Sequence, residues 1–362
     1  LLIAFFPAQL SAQGPIASLF QKKEPPLLVE AKQLEATLPK LLAQEKFVEA
    51  ERNARQIMSN YVSLYGAKDM RVVPSMSSLA LVCKLAGKLD EAEQLCRGTL
   101  EIVEKRKGDE NMMLVPCLQN LAEVCRARGR YPEAMQHLRR ALQIIQDRRE
   151  EDHIDTASTL GMIADTYRSM GRLQEAETLQ RRRLRIVQTN LGPNHPDLAL
   201  CLCDLGSLCR ERGKLAEAEA LLIQSVYIRQ SALGLGHLDV AVSLNELAGV
   251  YMKQGRFKET EPILRRSFRI REAQQGPNHL EVAMNLFKLG EVFHALHRYD
   301  EATVVYQRCL RIRESRLRWN HPEIATCLEN LAATYQAMGQ PQAGQPLLYR
   351  ARQIRASSPR GG

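Results

Sequence analysis

Large aromatic rings are scarce in this chain of 362 residues, which has one Trp, eight Phe and ten Tyr, an aromatic share of 5%. That excludes a conventional sandwich or α/β core of this size. There are nine cysteines, but none falls into a CxxC pair or into the His/Cys spacing that zinc needs. The closest two, Cys201 and Cys203, suit neither a metal knuckle nor a redox motif. No apolar run reaches the ~18 residues of a membrane span. A Ser/His/Asp set, a phosphate-cradling Gly loop and an HExxH motif are also missing. The chain therefore reads as a non-enzyme, with no cofactor and no metal expected. Charge of one sign is not in large excess either: 50 Lys plus Arg stand against 41 Asp plus Glu, a net +9, too mild to define a nucleic-acid binder. Hydrophobic residues at 45% and charged residues at 25% are globular averages and exclude wholesale disorder.

What the chain does have is a period. Gly87-Lys88, Gly129-Arg130, Gly171-Arg172, Gly213-Lys214, Gly255-Arg256, His297-Arg298 and Gly339-Gln340 recur every 42 residues, and one step back lies Glu45-Lys46. His153, His195, His237, His279 and His321 keep the same interval, with Asn111 and Asp69 at the two earlier sites. Eight units follow.

Within each unit the apolar residues keep helical spacing, as in Leu202, Leu205 and Cys209 or Leu244, Leu247 and Tyr251, so each unit is predicted to be a pair of helices. Small residues mark the close approaches, from Ala80 to Ala332 in the first helix and from Ala50 to Ala302 in the second. An aliphatic series, Ile102 to Ile354, closes the second helix. The turn Gly takes the left-handed conformation that ends a helix with least strain, and linkers such as Gly192-Pro193-Asn194-His195-Pro196 break one helix and start the next. One such pair cannot bury its stripe alone, so neighbours stack into an all-α solenoid. Cys83, Cys125 and Cys209 share one slot, and Cys117, Cys201 and Cys327 another; they read as reduced core thiols.

These residues resemble the tetratricopeptide repeat (TPR). The 42-residue length, the Asn-His-Pro entry, Leu-Ala-Gly-Val-Tyr at 247–251 and Ile-Arg-Glu at 270–272 and 312–314 look like its kinesin light chain and nephrocystin-like branch. The resemblance covers residues 27–355 and implies a right-handed α-solenoid that binds proteins or peptides. The Asn ladder of that branch survives thinly, as Asn120, Asn245 and Asn330.

By analogy with the family, the groove-facing slots lie ten, six and three residues before the turn Gly. In the central units these are Gln119, Glu123 and Arg126; Gly161, Asp165 and Arg168; Cys203, Ser207 and Arg210; and Asn245, Gly249 and Met252. Arg126, Arg168 and Arg210 form the most regular charged row and point to a peptide or protein partner of acidic character. A second candidate surface is a convex Arg ladder: Arg140, Arg182, Arg266, Arg308 and Arg350, with Arg185, Arg269 and Arg311 three positions on. It reads either as a solvated, dipole-matched face or as a site for a polyanion such as nucleic acid. A third reading makes the chain the recruiting module of a larger effector protein. The His series suits helix capping, and Glu133, Glu175, Glu217, Glu259 and Glu301 oppose the dipole of each second helix.

Residues 1–26 stand outside the repeats. Leu1–Leu10 followed by Ser11-Ala12-Gln13 reads either as part of a secretory leader or as an N-terminal extension, and residues 356–362 as a C-terminal tail. Reduced core thiols favour a cytoplasmic setting. The oligomeric state is not read from the sequence.

Overall fold

The structure, a computed structural model, describes residues 24–108, 111–149 and 152–357. The leader-like segment at Leu1–Leu10 and the tail beyond Ser357 lie outside the described residues. Sixteen α-helices form eight hairpins: α1 (Pro26–Ala43) with α2 (Phe47–Tyr65), α3 (Val73–Leu85) with α4 (Leu89–Lys107), α5 (Leu114–Ala127) with α6 (Tyr131–Gln146), and α7 (Asp155–Ser169) with α8 (Leu173–Leu191). They continue as α9 (Pro196–Glu211) with α10 (Leu215–Leu233), α11 (Leu238–Lys253) with α12 (Phe257–Gln275), α13 (Leu280–Ala295) with α14 (Tyr299–Arg316), and α15 (Pro322–Ala337) with α16 (Pro341–Ser357). No strand occurs among the described residues.

Each hairpin turn is built the same way. The residue after the turn Gly donates its backbone N–H to the carbonyl five positions back, from Lys88 to Cys83, Lys214 to Cys209 and Arg298 to Phe293, at 2.8–2.9 Å. This Schellman closure needs a left-handed residue between the helices. The turn glycines from Gly87 to Gly339 have φ of 73° to 78°, and the two replacements, Glu45 and His297, adopt the same region at 56° and 59°. At the other end of the unit, Nδ1 of His153, His195, His237, His279 and His321 accepts the backbone N–H two residues on. Asp69 and Asn111 make the same bond with a side-chain oxygen. These are helix caps.

Packing follows the small residues. Ala50, Ala92, Ala134, Ala176, Ala218, Thr260 and Ala302 are all fully buried. A Cβ added at Gly206 would stand 2.8 Å from Leu222, and one at Gly290 would stand 2.5 Å from the Tyr306 ring. The Ile102 to Ile354 series is buried throughout, and all nine cysteines are free and buried. Each fully buried Leu or Ile contributes roughly 1.5–3 kcal/mol, spread along the array instead of gathered in one centre.

Adjacent hairpins are also strapped by charge. The turn cation of one repeat reaches back to a glutamate in the second helix before it: Lys88 to Glu51, Arg130 to Glu93, Lys214 to Glu177, Arg256 to Glu219 and Arg298 to Glu261. Where Met135 replaces that glutamate, Arg172 pairs within its own helix with Glu175 and stacks on Tyr167. At the last repeat Thr303 and Gln340 occupy the two positions. A second strap joins the end of each later second helix to the next first helix. Buried Arg229 donates to Asp239 O and Ser243 Oγ, while Arg271 and Arg313 pair with Glu281 and Glu323.

Candidate peptide-binding groove

First helices of successive repeats approach one another, α3 to α5, α5 to α7, α9 to α11 and α13 to α15, more closely than the second helices do. They therefore line the inner, concave side. Of the three expected slots, the one farthest from the turn is covered by the neighbouring repeat. Gln119, Gly161, Cys203 and Asn245, ten positions before the turn Gly, are buried between repeats. Gln119 spends its amide on Thr159 at 2.9 Å, and Gly161 leaves room for the Arg183 guanidinium, 3.0 Å from where a Cβ would stand. The slot one residue later is half-buried and carries charge, at Asp204, Glu246 and Lys288. Either slot continues a helical stripe with the slots six and three before the turn Gly, so periodicity alone did not separate them.

The arginine row is present but occupied. Arg126 pairs with Glu123, which Lys84 also holds. Arg168 pairs with Glu211 of the next repeat and donates to Ser207 Oγ at 3.2 Å. Arg210 lies over Gly249 and pairs with Glu246 at 2.9 Å. Arg183, a groove residue the sequence reading did not single out, donates to Asp204 at 2.7 Å. Burial would raise the carboxyls of Glu123 and Glu246, but Lys84 and Arg126 on one and Arg210 on the other outweigh it and hold both below the ordinary range.

Asp165 differs. Its carboxylate sits half-buried on α7 with no hydrogen-bond partner among the described residues, and burial, helped by the neighbouring Asp204, pushes it up to about 6. Glu291 is likewise raised by burial, and Lys288, whose Nζ reaches only the Asn245 carbonyl at 3.4 Å, is lowered by it. Both amide atoms of Asn245 are buried without a partner. Met252 packs half-buried against the core cluster of the sixth and seventh repeats. Asn120 is exposed, and Asn330 bonds its own helix at Thr326 O, so the three Asn residues form no single row.

The convex ladder divides in two. Arg140, Arg308 and Arg350 pair with Glu104, Glu272 and Glu314 on the preceding second helix, and Arg182 pairs with Asp152. With the Gln230 amide turned so that its oxygen faces Arg266, that arginine makes the same strap at 2.8 Å. Arg185, Arg269 and Arg311 are exposed. A hollow of about 240 Å³ opens beside Arg269 between α12, α13 and α14, floored by Leu286, Leu289 and Phe293.

One carboxylate cluster has the outline of a metal site: donor atoms of Glu177, Cys209 and Glu217 lie within 4.8 Å of one another. Glu177 is the hub of Arg181, Arg212 and Lys214, and Glu217 also pairs with Arg181. Burial lifts the Cys209 thiol to about 11, so it stays protonated. The charges already present satisfy this cluster as an ion-pair hub.

The stacked hairpins and their inner surface define an α-solenoid scaffold of the kind that binds proteins. The chain belongs to the tetratricopeptide repeat family: a tetratricopeptide repeat model matches residues 71–147, 114–189, 155–231 and 239–315, and a second matches 324–357. Among solved structures, the nearly identical TPR-like repeats of a candidate kinesin light chain from Podospora anserina are 27% identical, with a TM-score of 0.51 over 58% of this chain and 99% of that one. The apo form of the quorum sensor NprR from B. thuringiensis shares the fold, with a TM-score of 0.59 at 14% identity over 94% of this chain and 91% of that one. Apo RapI does so with a TM-score of 0.58 at 14% identity, covering 78% of this chain and 97% of that one. No curated protein matches the chain in sequence. Among the described residues, no helix is long and apolar enough to cross a membrane.

Proposed function

We propose that the chain is a non-enzymatic adaptor that holds an extended segment of a protein partner along the inner face of its third to seventh repeats. The observation that carries this reading is Asp165. Around it Arg126, Arg168 and Arg183 direct their hydrogen bonds to Glu123, Glu211 and Asp204, which leaves the Asp165 carboxylate without a hydrogen-bonded partner among the described residues. A half-buried carboxylate without a partner is costly to the free protein and is relieved by a ligand that supplies a cation or a donor. The acidic partner expected from the arginine row is therefore replaced by one that brings a basic side chain to Asp165. Extended peptides crossing several stacked units are the usual cargo of such surfaces.

Affinity capture with the full chain, read by mass spectrometry, tests the reading. Partners retained by the wild type should be lost with Asp165→Asn and Asp165→Arg, and their retention should weaken with salt. Arg269→Glu on the outer face should leave them in place. Capture unaffected by Asp165→Arg removes the groove assignment, and loss through Arg269→Glu alone moves the site to the convex face.

A further inference from the structure

One contact breaks the nearest-neighbour pattern. Nε2 of His279, at the linker before α13, lies 3.4 Å from Oε1 of Glu45, in the turn of the first hairpin, across 234 positions of sequence. Hairpin turns and inter-repeat linkers lie on opposite edges of a solenoid ribbon, so such a contact arises when one superhelical turn comes round and rests edge to edge on the next. The equivalent histidines provide an internal comparison. His153, His195 and His237 cap their helices through the same Nδ1 bond and leave 33%, 41% and 45% of the side chain exposed, whereas His279 leaves 5%. The added burial coincides with the approach of the first hairpin.

The sequence at the seam fits this contact. Glu45 occupies a left-handed position, φ 56°, where most other turns use Gly, and a Gly there would carry no side chain to reach across. On the other side, the cap leaves Nδ1 accepting from Glu281 N–H at 3.1 Å, so the neutral ring carries its proton on Nε2, the atom aimed at Glu45. Gln275 Nε2 stands 3.4 Å from the same ring nitrogen.

We propose that Glu45 and His279 form a latch that closes one superhelical turn of the array, docking the first hairpin on the linker between the sixth and seventh repeats. Closure fixes the pitch of the groove and restricts entry from the side. One contact of this kind shifts an equilibrium by at most about fivefold, so the latch opens readily when a bulky partner spreads the repeats. The inference concerns the unliganded chain and stands apart from the groove assignment.

The test combines a crosslink with X-ray scattering on the full chain. In the pair Glu45→Cys and His279→Cys a bismaleimide reagent should join the two thiols, identified by peptide mapping, with a scattering curve that overlays the wild type. Glu45→Gly should lengthen the maximum dimension while leaving melting unchanged or raised, because Gly relieves the left-handed backbone. His279→Asp should open the array too, since it sets two carboxylates together; Asp69 shows that an Asp keeps the cap. Adding Glu45→Lys to His279→Asp should restore the compact curve. The absence of a 45–279 crosslink, or a Glu45→Gly curve coincident with the wild type, overturns the latch.

Discussion

Replacing Asp165 by Asn should stabilise the free protein at neutral pH and do nothing for it in acid. In the folded chain the carboxyl moves from its ordinary value of 3.8 up to about 6, first through burial and then through Asp204, against a partial offset from Arg126, Arg183 and Arg168. A rise of about two pH units corresponds to about 3 kcal/mol at most, at 1.36 kcal/mol per unit. The sign follows from proton linkage. Between the two values the native state binds more protons than the unfolded state, so stability falls as pH rises through this window and is constant above it. Asn carries no such charge, and the variant should therefore gain up to about 3 kcal/mol above about pH 6 and match the wild type below about pH 4. Hydrogen exchange of α7 and α9, measured at both ends of the window, reads the effect where it arises, since repeat arrays open locally. A variant destabilised equally at both pH values would refute the assignment of an unpaired carboxylate. The same substitution is predicted to weaken partner capture, and a gain in stability accompanied by loss of binding is the signature of a functional site instead of a packing residue.

Three further predictions concern the scaffold. Gly290→Ala forces a Cβ against the Tyr306 ring and should lower stability by about 1–3 kcal/mol; adding Tyr306→Leu recreates the Ala248 and Leu264 arrangement of the preceding repeat and should recover most of the loss in thermal melting. Burial would raise the Glu177 carboxyl, but Lys214, Arg181 and Arg212 outweigh it and hold it at about 2, so its contribution is present at neutral pH and fades as pH falls from about 4.5 towards 2. Glu177→Gln removes the carboxylate partner of Arg212 and Lys214 and one of the two partners of Arg181, and should cost about 1–3 kcal/mol in a urea titration at neutral pH. Thr303→Glu with Gln340→Arg installs the missing strap at the last interface and should add up to about 1 kcal/mol, with a double-mutant cycle showing that the gain belongs to the pair.

Much of the scaffold was legible because each unit repeats the same physics. The turn glycines, the crossing alanines, the capping histidines and the buried cysteines all follow from single positions recurring every 42 residues. The straps were also written there, though as pairs: a cation follows the turn residue in seven units, and five of them meet a glutamate one residue after the crossing Ala or Thr. Neither member alone shows the pair. The partners of Arg140 and Arg308 were missed for the same reason, since the acids that hold them lie on the preceding second helix.

The sequence by itself determined the period, the helical hairpin and the one-dimensional stacking, because helix periodicity, turn chemistry and burial act over a few residues and then repeat. Only the tertiary structure decided that the slot ten positions before each turn Gly is buried between repeats, because spacing does not show what a neighbouring repeat lays over a position. It also decided which charges are free. Whether Arg168 or Asp165 is uncommitted depends on the acid or base that an adjoining repeat brings within about 4 Å. The meeting of Glu45 with His279 depends on small rotations summed over six units, a quantity that no single repeat encodes.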